Sequence, residues 1–192
     1  RAAAVAAKDV GVKDVIMSVN NIAFKSTGYI DRAIDRFVRR SVDVVTTASA
    51  ATGRALAANR GFDPKKIITI PHGIEGVHYK SDSHLSADNT TVPSDRFVSI
   101  AARFEERKGH KYAIAAFKEM LRENRGILDV KLILLGEGPI SGEIKELVSR
   151  EGLDKNIIFM GQRADCIDYI AKSLFLVLPS IGYEDLPFVI LE

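Results

Sequence analysis

Residues 174–192 read LFLVLPSIGYEDLPFVILE, a short apolar run, a turn and a second apolar segment. A continuous apolar run such as residues 174–178 is typical of a buried strand in a parallel sheet. Gly182 and Pro187 then indicate a turn before the next helix. Glu184 follows the carboxyl end of the predicted strand, and ligands bind at that end in open α/β sheets. The stretch therefore predicts an α/β fold with a binding site where this strand ends.

Glu184 and Glu192 lie eight positions apart across the start of the predicted helix. Eight helical positions separate two side chains by about 12 Å along the axis and turn them by about 80°. The pair therefore cannot share one metal ion or one proton. Its spacing suits a long ligand with hydroxyls at both ends, whose phosphates the N–H groups near Leu186 and Phe188 could receive. The alternative is a helix whose first turn simply favours acidic residues.

The rest of the chain alternates β-branched runs with amphipathic helical patterns, which is the rhythm of βαβ units in a parallel sheet. The runs lie at residues 14–19, 43–47, 66–70, 97–102, 130–135 and 157–160. A polar stretch from Ser81 to Asp95 interrupts them. We therefore expect two α/β pieces, at residues 1–74 and 96–192, joined by a linker or long loop at residues 75–95.

One predicted helix, near residues 30–40, carries both apolar and basic residues. Its periodicity predicts that Ala33, Ile34, Phe37 and Val38, together with Ile30, face the core. The opposite face is predicted to hold Asp31, Arg32, Asp35, Arg36, Arg39 and Arg40. This face allows a peripheral contact with anionic lipid or with another subunit, but the two acids favour an ordinary solvated face.

Composition excludes several classes of protein. The 192 residues are 46% hydrophobic, which is enough for a sizeable core. A net charge of +2, from 27 basic and 25 acidic residues, offers no overall field for nucleic acid. The single cysteine, Cys166, excludes an intrachain disulfide and favours the cytoplasm, with a place in the core. The four histidines lack metal-ligand spacing, so we predict neither a metal site nor a catalytic histidine.

Cations and glycines follow two neighbouring strands of the second piece. Arg103 directly follows the run at residues 97–102, and Lys108 comes five positions later, where a helix is predicted to begin. Such a pair could clamp a diphosphate, although Glu105, Glu106 and Arg107 also fit a solvated turn. Gly136-Glu137-Gly138-Pro139 follows the next strand. Glycines there let the backbone approach a ligand, or simply make a tight turn.

Taken together, these motifs resemble a known family. The order and spacing match retaining glycosyltransferases of the GT-B fold, family 4, which are also called glycosyl transferases group 1. The matching residues are Arg103, Lys108-Gly109, Gly136-x-Gly138-Pro139, Phe159-x-Gly161, Leu178-Pro179-Ser180 and Glu184-x7-Glu192. Upstream, residues 41–49 and 66–74 resemble the end of that family's first domain.

The resemblance implies two Rossmann-like parallel-sheet pieces that face each other across a cleft, both incomplete. Residues 1–74 would be the last part of the acceptor-side domain, and residues 96–192 a donor domain truncated at its C-terminus. The implied reaction transfers a sugar from a nucleotide-diphosphate sugar to an acceptor hydroxyl with retention of configuration and without a cofactor. The acceptor would be a carbohydrate or a lipid-linked glycan, in the cytoplasm or at the inner face of the membrane.

The resemblance also implies roles for individual residues. Arg103 and Lys108 would neutralise the diphosphate, and Glu184 would contact the donor sugar. The expected donor-binding positions are Gly136, Gly138, Gly161, Gln162, Asp185, Leu186, Pro187 and Glu192. Among these, Glu192 would hold the ribose, and Gly161 and Gln162 would lie near the base. Asp185 stands where the family often has glycine, and this departure could restrict how closely the backbone approaches the donor. His72 stands where the family commonly has asparagine before Gly73.

Two rival interpretations stay open at this point. One is a non-catalytic α/β module that binds a nucleotide or phosphate. The other is a phosphorylase or nucleotide-sugar epimerase of the same fold. Because the family's N-terminal glycine-rich loop and its last helices have no counterpart here, we expect the chain alone to be inactive.

Overall fold

A computed structural model describes residues 2–19, 29–74, 96–123, 129–182 and 184–192. For residues 29–32 it describes the backbone only. The chain forms two compact units. The first comprises Arg1–Glu75 with Tyr183–Leu191, and the second comprises Gly76–Gly182 with Glu192. The loop predicted at residues 75–95 lies outside the described residues.

The first unit is a small parallel sheet with helices. Its elements are α1 (Ala2–Asp9), β1 (Ile16–Val19), α2 (Tyr29–Ser41), β2 (Val44–Thr47), α3 (Ala50–Arg60), a 3₁₀ turn (Pro64–Lys66) and β3 (Ile67–Thr69). The strands are parallel in the order β1-β2-β3. Helix α3 has a serine cap at its start and a glycine cap at its end. Ser49 accepts a hydrogen bond from the Thr52 N–H, and Gly61 ends the helix with a φ of 66°.

The buried face of α2 is not the predicted one. Val38 lies in the core with Val42, but Ile34 and Phe37 are 40% and 59% exposed. Asp35, which was expected on the solvated face, is buried because its Oδ2 accepts a hydrogen bond from Arg60 Nη1 at 2.6 Å. This ion pair orients the helix. The predictions for Ile30, Asp31 and Arg32 lie outside the described side chains.

The second unit repeats the architecture of the first. Its elements are β4 (Phe97–Ala101), a 3₁₀ turn (Glu106–Lys108), α4 (His110–Glu123), β5 (Lys131–Leu135), α5 (Ser141–Arg150), β6 (Ile157–Gly161) and α6 (Cys166–Lys172). The strands are parallel in the order β4-β5-β6. Val98 and Leu132 of this sheet pack in one core cluster, and Phe97 and Ile133 in another. Apolar residues on both faces explain why these strands are continuous apolar runs.

The last predicted strand is reduced to a single parallel bridge. Leu176 pairs with Ser99, next to β4, and the Val177 N–H donates to the Ser99 carbonyl at 2.8 Å. The Ser99 hydroxyl also donates to Ser173 Oγ at 3.0 Å. The segment therefore runs beside β4 as expected, but it does not form a regular strand.

Residues 184–191 pack on the first unit, whereas the predicted division places them with residues 96–182. They end in the short helix α7 (Phe188–Leu191). The Thr52 hydroxyl donates to Asp185 Oδ1 at 2.6 Å, and the rings of His72 and Phe188 stack at 4.9 Å. These two contacts hold the segment against the start of α3 and the turn after β3.

We predict that Asp35→Ala destabilises the chain by about 3–5 kcal/mol, because it leaves the buried Arg60 guanidinium without its carboxylate. Urea unfolding measures the change. Glu119→Ala is the matched control, since Glu119 pairs with Arg122 on the surface and should cost about 1 kcal/mol or less. Equal losses in the two variants would contradict the structural role of the Asp35–Arg60 pair.

Candidate functional site

Three loops meet at the carboxyl edge of the second sheet, after β4, β5 and β6. We call residues 102–109, 136–140 and 161–165 the strand-end loops. The Gly136 N–H donates to the Gly161 carbonyl at 2.7 Å, and the Phe104 N–H donates to the Glu137 carbonyl at 3.0 Å. The strand-end loops are therefore joined to one another by backbone hydrogen bonds.

The two glycines after β5 are required by this close packing. A Cβ on Gly136, whose φ is 126°, would lie 2.3 Å from the Ala102 carbonyl oxygen. A Cβ on Gly138 would lie 2.4 Å from the Phe104 carbonyl oxygen. The sequence suggested that glycines here let the backbone approach a ligand. In the described structure they let the second strand-end loop approach the first.

We predict that Gly138→Ala destabilises the second unit by about 2 kcal/mol, because the added methyl group meets the backbone of Phe104, which cannot rotate away. Gly142→Ala is the control, since nothing lies within 4 Å of its added methyl group and it stands in α5. That variant should be stabilised by about 0.5–1 kcal/mol. Thermal unfolding separates the two cases, and a neutral Gly138→Ala would contradict the tight packing of the loops.

The strand-end loops border a cavity of about 330 Å³. Its lining residues are Phe104, Gly136, Glu137, Gly138, Ser141, Lys145, Phe159 and Gly161. The Ser141 hydroxyl donates to the Gly138 carbonyl at 2.8 Å, and the Lys145 ammonium lies 5.8 Å from the centre of the Phe159 ring. Aromatic walls with a few polar groups are typical of small-molecule sites.

The cavity brings together three predicted binding residues and adds others. Gly136, Gly138 and Gly161 line it, and the exposed Gln162 follows directly. Sequence reasoning missed Ser141 and Lys145. A signal for Ser141 did exist, because a serine three positions after Gly138 can form a hydrogen bond with the backbone of that glycine. Lys145 carries no sequence signal, because an exposed lysine on a helix is ordinary.

The two predicted cations, Arg103 and Lys108, both lie in the first strand-end loop. Arg103 is 73% exposed, and its Nη1 lies 3.0 Å from Glu105 Oε1. Lys108 is half-buried and ends the 3₁₀ turn. The segment that contains Ile181 holds this turn in place, because the Ile181 N–H donates to the Arg107 carbonyl at 2.9 Å. A Cβ on Gly109 would lie 1.9 Å from the Pro179 carbonyl oxygen, so only glycine fits after Lys108.

His110 supports this turn from within the protein. It is 1% exposed, and its ring stacks on Phe104 with the centroids 4.3 Å apart. Neither ring nitrogen has a hydrogen-bond partner among the residues that the structure describes. Burial, and then the nearby charge of Lys108, lower the pKa of His110 below its ordinary value of 6.5. The imidazole is therefore neutral and acts as a packing group.

This pKa shift predicts a pH-dependent stability. The unfolded chain protonates His110 at a higher pH than the folded chain does. The contribution of His110 to the free energy of unfolding is therefore complete above pH 6.5, its ordinary pKa, and is lost as the pH falls below that value. We expect His110→Phe, which keeps the ring contact, to remove a slope of at most about 1.4 kcal/mol per pH unit. Urea unfolding from about pH 8 to about pH 5.5 measures it. If the free energy of unfolding changed with pH in the same way in the unsubstituted chain and in His110→Phe, the result would contradict the contribution of His110 to the pH dependence.

The third strand-end loop is fixed by an ion pair that the sequence did not reveal. Arg163 Nε and Nη2 lie 2.7 and 2.9 Å from the two Asp165 oxygens. The guanidinium also lies 5.2 Å from the centre of the Tyr169 ring, which is fully buried. Burial raises the pKa of the Tyr169 hydroxyl. These contacts hold the backbone that follows Gln162 in place.

The predicted site residues fall into two sets. Arg103, Lys108, Gly136, Gly138, Gly161, Gln162 and Glu192 belong to the second unit, and Glu184, Asp185, Leu186 and Pro187 to the first. Burial, and then the negative charge of Glu192, raise the pKa of the half-buried Cys166 thiol, which places Glu192 near the start of α6. The helix expected from about Leu186 begins only at Phe188.

Comparison with known proteins identifies the family. A family model described as glycosyl transferases group 1 matches residues 95–192, just over half of the chain. The chain belongs to this family. The resemblance noted in the sequence is thereby confirmed.

Curated relatives of the group 1 family match most of this chain at low identity. EpsF of Bacillus subtilis strain 168, named as a glycosyltransferase, is 27% identical over 98% of this chain and 50% of its own length. A Campylobacter jejuni 4-alpha-N-acetylgalactosaminyltransferase, named for a diphospho-undecaprenol acceptor, is 24% identical over 78% of this chain and 38% of its own. The chain spans about half the length of EpsF and a smaller share of the other curated relatives it matches.

Solved structures confirm the fold class. The crystal structure of Anabaena Alr3699/HepE in complex with UDP and glucose matches 97% of this chain and 52% of that protein, with a TM-score of 0.72 and 18% identity. The predicted α/β, GT-B-like fold class, with two Rossmann-like parallel sheets, is therefore confirmed.

Proposed function

We propose that the whole protein transfers a sugar from a nucleotide-diphosphate sugar to an acceptor hydroxyl, with retention of configuration. The observation that carries the proposal is the carboxyl edge of the second sheet, where a cavity and two cations accompany the strand-end loops of a group 1 family member. In this proposal residues 1–74 belong to the acceptor side and residues 96–192 to the donor side.

In the proposed mechanism Arg103 and Lys108 act by electrostatics. As the bond between the sugar and the diphosphate breaks, negative charge builds up on the departing phosphate oxygen, and the two cations stabilise it. Arg103 suits this role because its fork matches phosphate oxygens, and Glu105 already holds it at the edge. Lys108 adds a compact charge on a turn that Gly109 and Pro179 fix.

The remaining predicted residues position the donor. In the proposal Glu184 contacts the sugar, and Glu192 accepts hydrogen bonds from the ribose. Gly161 and Gln162 lie near the base, and Gly136 and Gly138 shape the cavity beside it. The backbone at Asp185, Leu186 and Pro187 approaches the phosphates. The reaction so described needs no resident cofactor or metal.

The donor and acceptor classes have support in the relatives. The HepE structure contains UDP and glucose, which favours a uridine-diphosphate sugar as donor. The name of the Campylobacter relative specifies a diphospho-undecaprenol acceptor, which supports a carbohydrate or lipid-linked acceptor for this protein. Among the described residues, no helix is long and apolar enough to cross a bilayer.

We predict that the chain binds UDP more tightly than GDP or ADP, and that Arg103→Ala and Lys108→Ala each weaken binding about tenfold to a hundredfold, because each removes a charge-assisted contact. Isothermal titration calorimetry measures both effects. Arg122→Ala is the control, since Arg122 is equally exposed at the other end of α4.

Unchanged binding by folded Arg103→Ala and Lys108→Ala variants would contradict the proposed clamp. The rival functions are separated in the full-length protein by the products. Release of nucleoside diphosphate with transfer of the sugar supports a transferase, consumption of phosphate a phosphorylase, and a changed sugar still attached to its nucleotide an epimerase. Tight nucleotide binding with none of these products would leave the non-catalytic module.

A further inference from the structure

Two oppositely charged side chains line the cavity beside the strand-end loops. Glu137 comes from the loop after β5, and Lys145 comes from the second turn of α5. The Glu137 carboxylate lies over Gly161, since a Cβ on that glycine would be 3.2 Å from Glu137 Oε1. The Lys145 ammonium lies 5.8 Å from the centre of the Phe159 ring. Both charges therefore border the space beside Gly161 where the base of the donor is proposed to lie.

These two charges are available to a ligand. Within the part of the chain that the structure describes, neither Glu137 nor Lys145 belongs to an ion pair. Other charged groups at the same edge are matched, because Lys111 Nζ lies 2.6 Å from Glu143 Oε1 and 3.0 Å from Glu106 Oε1. A hydrogen bond to an ionised side chain is stronger than one between neutral groups. The two side chains can therefore contribute to the selection of a ligand with complementary polar groups.

The wall of the cavity suits a flat ring. Phe104 and Phe159 both line it, with their ring centres 6.2 Å apart and an angle of 31° between the ring planes. Phe104 is held in place because the buried His110 ring stacks on it at 4.3 Å. Nucleobases pack well against aromatic faces such as these. A base in the cavity would thus lie against aromatic rings, with charged side chains at its edge.

We propose that Glu137 and Lys145 determine which base the donor carries, and that they select uracil. The inference rests on the proposed donor site. A carboxylate only accepts hydrogen bonds, and an ammonium only donates them. The polar edge of uracil has one N–H between two carbonyl groups. Glu137 therefore accepts from the ring N–H, and Lys145 donates to a carbonyl oxygen beside it.

This pairing discriminates against bases that carry an amino group in place of the carbonyl. Cytosine has a lone pair where uracil has its N–H, so Glu137 would face a second acceptor. Adenine likewise places an acceptor nitrogen beside an amino group. Guanine keeps an N–H beside a carbonyl group, but its larger ring system puts that edge farther from the ribose. The expected order of affinity is therefore UDP, then GDP, with CDP and ADP the weakest.

Calorimetric titration with UDP and CDP tests the proposal. The two ligands share their ribose and diphosphate, so the ratio of their affinities isolates the base. We expect the chain to bind UDP about tenfold to a hundredfold more tightly than CDP, which is the effect of a charge-assisted hydrogen bond. Glu137→Gln should remove most of this preference, because a carboxamide can turn its oxygen to uracil or its amino group to cytosine. Lys145→Met should weaken UDP binding about tenfold.

Matched controls remove the same charges away from the cavity. Glu146 is exposed on α5 next to Lys145, and Lys155 is exposed before β6, at the opposite edge of the sheet. Glu146→Gln and Lys155→Met should leave the ratio of UDP to CDP affinity unchanged. A change in that ratio as large as in Glu137→Gln would overturn the proposal, because selectivity would then follow overall charge.

The same titrations separate failure of this inference from failure of the proposed donor site. Suppose that Arg103→Ala weakens UDP and CDP alike, while folded Glu137→Gln keeps the ratio and folded Lys145→Met keeps the UDP affinity. The donor site then stands, and the assignment of Glu137 and Lys145 is overturned. Tighter binding of CDP or ADP than of UDP by the unsubstituted chain would also overturn it. A folded chain that bound no nucleoside diphosphate would contradict the donor site itself, and this inference with it.

Discussion

The contact on which the proposed donor site depends is between two stretches of backbone. The loop after β5 lies so close to the loop after β4 that a methyl group at Gly136 or Gly138 would fall within 2.4 Å of a carbonyl oxygen. Hydrogen bonds such as Phe104 N–H to the Glu137 carbonyl continue this contact across the edge. Because backbone atoms make it, the shape of the edge tolerates wide change in the other side chains. A TM-score of 0.72 at 18% identity to HepE is consistent with such a fold.

Arg60 has a structural role in this chain, Arg103 has a proposed binding role, and the two side chains differ in burial. Arg60 is 7% exposed in its side chain, so its pairing with Asp35 has to be maintained for the first unit to be stable. Arg103 is 73% exposed, and water screens its contact with Glu105, so this pair contributes little to stability. A phosphate can therefore replace Glu105 as the partner of Arg103 at small cost. An exposed arginine that is loosely held at a strand end is suited to binding, and a buried one to structure.

Much of the fold was predictable because parallel strands have a simple sequence signal. The runs at 97–102, 130–135 and 157–160 became β4, β5 and β6, and their carboxyl ends necessarily share one edge. That rule also placed Arg103 and Gly136 at the same edge. The buried face of α2 was predicted wrongly, because periodicity counts Asp35 as polar and cannot anticipate a partner 25 positions away. The packing of Asp185 on Thr52 spans 133 positions and had no local signal.

Since the backbone fixes the edge, the proposed donor site would owe its selectivity to the side chains around that edge. Ser141 bonds the Gly138 backbone, and Phe104 is stacked on His110, so both are held in place. Lys145 and Gln162 are exposed and can adjust to a ligand. Differences in donor between members of this fold would then follow exposed positions such as these, while the glycines and the buried His110 preserve the shape of the edge. This division of roles permits low sequence identity between proteins that share the fold. The same low identity is why the sequence does not reveal the specific donor.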